Sequence, residues 1–194
     1  MAQARGAGAL LGTRTAVQLR GERCRVRPWR ESDIDSLAEH ANNINVAKNL
    51  RDRFPHPYTR NNARDFLKYA ANLQDQSNLA IEVEGAAVGA IGYVAGSDVE
   101  RFSAEIGYWL GEAFWGRGIA TEALVLTTEH AFRHVNILRM FALPFAENAS
   151  SVRVLNKAGY IYEGRLRSSS VKFGTPRDQL LYARVNPDWK LPSL

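Results

Sequence analysis

The 194-residue chain holds a single cysteine, Cys24, which excludes an internal disulfide. Cys24 lies in an alternating strand pattern with no plausible base beside it, so it reads as a packing residue rather than a nucleophile. Long apolar runs are also missing. LLGTRTAV near the N-terminus is too interrupted for a signal core, and no stretch has the length that a membrane span needs. The expectation is a soluble, cytoplasmic protein with no membrane partner. HExxH is absent, and His130 and His134, one helical turn apart, have no evident third ligand, so they read as a solvated helix face and no metal is expected. No serine precedes Ser32, which argues against a transit peptide even though the first twenty residues are rich in Arg and free of acid.

The charge is unevenly spread. The formal net charge is +5, yet residues 1–30 contain seven Arg and one Glu, which leaves residues 31–194 with 18 basic and 19 acidic side chains. The folded part is therefore near neutral, and direct nucleic-acid binding is not expected of it. The composition suggests a flexible basic leader over residues 1–20, one folded domain over 21–188 and a short tail over 189–194.

What is present centres on Glu105–Thr121, EIGYWLGEAFWGRGIAT. Alternation makes its first part a strand, with Ile106, Tyr108 and Leu110 on one side and Glu105, Gly107 and Trp109 on the other. The chain then turns through Gly116, Arg117 and Gly118 into a helix that the pattern carries to about Val135. A strand, a glycine turn and a helix start leave a row of free N–H groups beside the positive end of the helix dipole, a socket suited to a diphosphate. A Walker loop would need Lys and Ser or Thr after its second glycine, whereas Arg117 and Gly118 follow Gly116. A dinucleotide fingerprint would want Gly or Ala where Thr121 stands, and it would need repeated βαβ units.

Taken in order, Arg23–Trp29 alternates as a first strand. Ser32 and Asp35 approximate a capping box before a helix carrying Ile34, Leu37, Ala38 and Ala41. NLRDRFPHPYT is held irregular by its prolines, and Thr59 caps a second helix with Ala63, Phe66, Leu67 and Ala70. Leu79–Val83 and the run after Gly85 form a hairpin. Ile137–Phe145 reads as a strand buried on both faces. ENASSVRVLNKAGY is a short helix closed by Gly159, and two late strands span about 160–173 and 178–185.

Two motifs resemble those of the GNAT N-acetyltransferase superfamily. Gly118 and Ala120 match its phosphate loop, with Trp115 where Gln or Arg is usual. Asn148, Ser151, Lys157, Gly159 and Tyr160 match its second motif. Phe114, Trp115 and Gly116 resemble the ribosomal-protein N-terminal acetyltransferase branch, the RimJ/RimL type. The resemblance implies a single-domain α/β (α+β) fold, with a mixed sheet of about seven strands splayed in the middle and about four helices. It implies acetyl-CoA as cofactor, with the diphosphate on Trp115, Gly116, Arg117, Gly118, Ile119, Ala120 and Thr121. The coenzyme arm would lie near Trp109 and Leu110 and reach Asn148, Ser151 and Lys157.

The same resemblance gives the chemistry. Many members carry a Tyr acid four residues after the Ser position, but Leu155 stands there, so Ser151 takes that role in this branch. Its alternative is a helix N-terminal hydroxyl bonding its own backbone. Glu105 stands where a general base is common, with pairing to an Arg of a neighbouring strand as the alternative. Trp29, Phe54 and Tyr58 are candidates for the acceptor pocket, Arg51 and Arg53 read as ordinary exposed loop arginines rather than anchors for an acidic acceptor or the cofactor's phosphates, and Arg177 and Asp178 read as structural. The acceptor would be a protein N-terminal α-amine. Three other readings stay open: a small amine such as an amino acid, polyamine or antibiotic; a noncatalytic acyl-CoA sensor; and RNA or ribosome binding through the leader. A homodimer is compatible with each.

Overall fold

The computed structural model describes residues 17–73 and 77–191. Two short strands, β1 (Leu19–Arg20) and β2 (Arg25–Arg27), are followed by three helices, α1 (Ile34–Ala41), α2 (Ile44–Ala47) and α3 (Arg60–Ala71). Next come β3 (Asn78–Val83), β4 (Ala86–Ala95) and β5 (Ser103–Leu110), then α4 (Ile119–His134), β6 (Arg139–Ala142) and α5 (Ala149–Lys157). β7 (Ile161–Lys172) and β8 (Thr175–Val185) close the fold. All eight strands form one sheet in the order β1-β2-β3-β4-β5-β6-β8-β7, antiparallel except for β5 against β6. This is the mixed α/β architecture expected, with one very short strand and one single-turn helix added.

Local chemistry accounts for most of these elements. The β3–β4 hairpin turns through Glu84 and Gly85 and the β7–β8 hairpin through Phe173 and Gly174, all four with positive φ. Left-handed φ at both central residues matches the twist of the flanking strands. Thr59 caps α3 by accepting from the Asn62 N–H at 3.3 Å, while Asn62 Oδ1 accepts from the Thr59 N–H at 2.9 Å. Asn43 caps the short α2 through the Asn45 N–H at 2.7 Å, a cap the sequence reading passed over.

Two expectations change. Ser32 does not cap α1: it lies within a 3-10 turn over Glu31–Asp33, where the Asp33 carboxylate accepts from the Arg30 N–H at 2.8 Å. The expected long strand over Ile137–Phe145 is only Arg139–Ala142, with alternating rather than continuous burial. Pro144 has no N–H to extend the ladder, and Phe145 makes only an isolated bridge to Gln179. Residues 1–16 of the expected leader and 192–194 of the tail lie outside the described residues. Leu19 and Arg20 already belong to the sheet. Trp189 packs its ring 5.1 Å from that of Phe102.

Alternating side chains of β5 sort two apolar clusters onto opposite faces of the sheet. Ala104, Ile106 and Leu110 join Leu124 of α4 and Leu155 of α5 in the larger cluster. Trp109 packs with Leu37, Ala41, Tyr58 and Ala63 on the α1–α3 side. A buried ion cluster ties the first strands to α1: Arg27 donates to both oxygens of Asp33 at 2.7 and 2.8 Å and to Glu82 from its Nε. Arg27, Asp33 and Glu82 are 3, 4 and 6% exposed, so each charge depends on the others for solvation.

Candidate active site

β5 is paired with β4 along its whole length from Ala104 to Leu110, but with β6 only at Ser103, Ala104 and Glu105. β6 ends at Ala142 and the chain turns away, so Ile106–Leu110 has one edge with no neighbouring strand among the described residues. That gap opens into a cavity of about 1530 Å³, reached by Tyr69 of α3 at one extreme and Lys157 of α5 at another.

The glycine turn lies at the end of this open edge. Gly116 and Gly118 have φ of 77° and 76°, left-handed values that favour glycine. Gly118 is the N-cap of α4, and its carbonyl takes the Glu122 N–H at 3.0 Å. The N–H groups of Ile119, Ala120 and Thr121 precede that bond and have no carbonyl one turn back within the helix. Trp115 donates its indole N–H to the Leu110 carbonyl at 2.7 Å, pinning the turn to the strand end. The guanidinium of Arg117 lies over the Phe114 ring at 5.4 Å, and Arg117 is not among the residues that line the cavity.

Glu122, in the first turn of α4, braces the same region from below. Its carboxylate accepts from the N–H groups of Glu22, Arg23 and Cys24 at 3.0, 2.8 and 2.9 Å. Burial pushes its pKa upward, but these donors outweigh burial and hold it below the ordinary range. Cys24 is buried against it, and burial together with the Glu122 carboxylate pushes the thiol up to about 12. The thiol therefore stays protonated and unreactive, in agreement with a packing role.

The second motif forms the wall on the α4–α5 face. Asn148 caps α5, its Oδ1 accepting from the Ser151 N–H at 3.1 Å. The Ser151 hydroxyl does not bond its own backbone; it meets the phenol of Tyr108, with Oγ and Oη 2.8 Å apart. Tyr108 was read from the sequence only as a face of β5. Burial pushes its phenol pKa up, with the Ser151 bond opposing. The signal that could have found it was the missing phenol at Leu155, since a residue on the facing strand can fill the same space. Lys157 is exposed at the end of α5 and lines the cavity.

The opposite face carries Glu105. Its carboxylate pairs with Arg51, which comes from the loop after α2 and not from a neighbouring strand. Arg51 remains 60% exposed, so this pair is held weakly. One residue on, Asp52 accepts from Lys172 at 2.8 Å, and the Lys172 side chain is only 4% exposed at the end of β7. The loop is thus tied to β5 on one side of the cavity and to β7 on the other. Phe54 stacks between Tyr58 and Trp109 at 5.0 and 5.6 Å, and all three line the cavity. Trp29 does not line it. Its ring meets Phe66 edge-on at 5.3 Å and its indole donates to Asn78 at 3.2 Å, which makes it a support behind the wall.

Arg177 pairs with Glu147 at 3.1 Å, and Asp178 accepts from the Ser168 N–H at 2.7 Å while pairing with Arg165, so both are structural. His130 and His134 stack at 4.8 Å, and among the described residues no group of three or more His, Cys, Asp or Glu side chains is placed to hold a metal. No helix among the described residues is long and apolar enough to cross a membrane.

Comparison with known proteins fits this geometry. The model of the Acetyltransferase (GNAT) domain matches residues 23–161. An uncharacterized N-acetyltransferase p20 of Bacillus licheniformis is 28% identical over 174 residues, 87% of this chain and 96% of that protein. The spermidine N(1)-acetyltransferase of Escherichia coli K12 is 26% identical over 73% of this chain and 75% of its own length. Among solved structures, Mycobacterium smegmatis RimJ in complex with CoA-disulfide superposes with a TM-score of 0.76 at 26% identity, covering 88% of this chain and 86% of that one. The chain belongs to the GNAT acetyltransferases, enzymes that take an acetyl group from acetyl-CoA and place it on an amine.

Proposed function

We propose that the acceptor is the α-amino group at the N-terminus of a peptide or protein, as in the ribosomal-protein acetyltransferases. The carrying observation is the extent and charge of the cavity. The cavity of about 1530 Å³ takes in the glycine turn and the second motif and continues past Glu105 to Tyr69 and Leu73, so space remains beside the coenzyme site for a peptide. The lining carries six basic side chains, Lys48, Arg51, Arg53, Arg153, Lys157 and Lys172, against four carboxylates, a balance that disfavours a polycationic acceptor.

The residues divide the work across β5. The N–H groups of Gly116–Thr121 suit the diphosphate, since main-chain donors at a helix start bind anions without a cationic side chain. Along the open edge Ile106 and Tyr108 turn their main-chain groups outward and Leu110 its N–H, while Trp109 is bonded to β4, so the coenzyme arm would pair there with Ser151 and Lys157 beside it. The bound donor supplies a thioester as leaving group and electrophile. On the α1–α3 face Glu105 takes the proton from the incoming amine through water. An α-amine, with pKa about 7.7–8.0 against about 10.4 for lysine, needs only that modest help. Arg51 must leave Glu105 for this. An exposed ion pair is worth only about 0.2–1 kcal/mol, so an ammonium entering the cleft can displace it. On the other face the Ser151 hydroxyl faces the departing sulfur.

A panel of peptides with free N-termini, matched peptides carrying only lysine amines, and polyamines tests this by release of CoA thiol. Turnover of the free N-termini alone is expected. Preference for polyamines would overturn the acceptor assignment. Binding of CoA without turnover of any amine would favour a noncatalytic sensor.

A further inference from the structure

We propose that Tyr108 is a positioning residue for acyl transfer, its phenol holding the Ser151 side chain at the cleft so that the serine hydroxyl is in place for the sulfur. This rests on the reading of Ser151 as the group beside the leaving thiolate.

The geometry fixes the serine side chain. Tyr108 Oη has two neighbours, both on Ser151: Oγ at 2.8 Å and the main-chain carbonyl at 3.3 Å. Toward the carbonyl the phenol is the donor, whereas at Oγ either hydroxyl can give the hydrogen. The Ser151 N–H is already spent on Asn148 at 3.1 Å, so the serine main chain is fixed by the helix cap and only its side chain remains to be held. When a thiolate enters the cavity that both residues line, Oγ can turn its hydrogen to the sulfur and accept the phenol's in its place, keeping the pair bonded. Burial keeps the phenol protonated, so it retains the hydrogen that this exchange needs.

In the transfer, the amine nitrogen forms its bond to the acyl carbon as the carbon–sulfur bond breaks. The nitrogen loses one proton, and the sulfur gains one from solvent in the open cleft. Ser151 stabilises the sulfur by hydrogen bonding while negative charge builds there. Tyr108 transfers no proton and acts through Ser151.

Two measurements test this, one of which needs no acceptor. CoA and desulfo-CoA affinities are compared at alkaline pH in wild type, Ser151→Ala, Tyr108→Phe and the double variant. Wild type is expected to favour CoA by about tenfold, as for a hydrogen bond to a charged group, and the preference should collapse in all three variants. Desulfo-CoA should bind all four proteins alike. In turnover with whichever amine is accepted, Tyr108→Phe should lower kcat about tenfold at unchanged acetyl-CoA KM, and the double variant should be no slower than Ser151→Ala. Unaltered CoA preference in Tyr108→Phe, or additive losses in the double variant, would overturn the proposal. An equal loss of desulfo-CoA affinity would show that Tyr108 only packs. If wild type has no preference for the sulfur, the reading of Ser151 itself falls, whereas failure of the peptide acceptors leaves the binding comparison intact.

Discussion

The two faces of β5 are built by different means. On the α4–α5 side, contacts are short and mostly anchored in backbone: a glycine turn with two left-handed residues, an asparagine cap, an indole bonded to a strand carbonyl, and a serine meeting a tyrosine. On the α1–α3 side, the loop over the cleft is secured by Arg51 to Glu105 and Asp52 to Lys172, pairs in which one partner is 60% and 71% exposed. The first kind of wall is preorganised; in the second the Arg51–Glu105 pair yields for about 0.2–1 kcal/mol, while the bond from buried Lys172 to Asp52 keeps the loop on β7. A fixed donor site beside a yielding acceptor site suits an enzyme whose donor is constant across its family and whose acceptor varies.

That contrast predicts unequal consequences of mutation. Ser151→Ala should reduce kcat by about 10- to 100-fold, as for losing a hydrogen bond of about 1.5–3 kcal/mol to the developing thiolate, with acetyl-CoA KM little changed. Unreduced kcat would remove the hydroxyl from the chemistry. Arg27→Met, in the buried ion cluster, should destabilise the fold by about 3–5 kcal/mol, because Asp33 would be left buried without its counter-charge and Glu82 with only the longer contacts to Arg25 and Arg30. A denaturant midpoint near wild type would show that water replaces the guanidinium. Gly118→Val should weaken acetyl-CoA binding about tenfold or more: a β-branched residue at positive φ costs of order 1–3 kcal/mol, and its Cβ would lie 3.3 Å from Arg23 Nε. Arg51→Ala should change stability by less than about 1 kcal/mol and alter only acceptor KM, by a few-fold.

The sequence makes these two walls unequally visible. Gly116, Gly118, Thr59 and Asn148 act on backbone within a few residues of themselves, so their roles follow from local geometry. The decisive side-chain pairs join distant positions: Tyr108 to Ser151 across 43 residues, Arg51 to Glu105 across 54 and Lys172 to Asp52 across 120. No local period encodes such pairs. Arg51 therefore read as an ordinary loop cation, and Trp29 as part of a pocket it only supports. Ser32 misled for a related reason: Asp33 sits between Arg27 and the Arg30 N–H, and this tertiary ion pair overrode the local capping pattern.

The separation of the two faces is tested most directly by titration calorimetry of acetyl-CoA into wild type, Gly118→Val and Arg51→Ala. One molecule should bind per wild-type chain, more weakly in Gly118→Val and with wild-type affinity in Arg51→Ala. Unimpaired binding by a folded Gly118→Val, or a comparable loss in Arg51→Ala, would contradict the division of labour across β5.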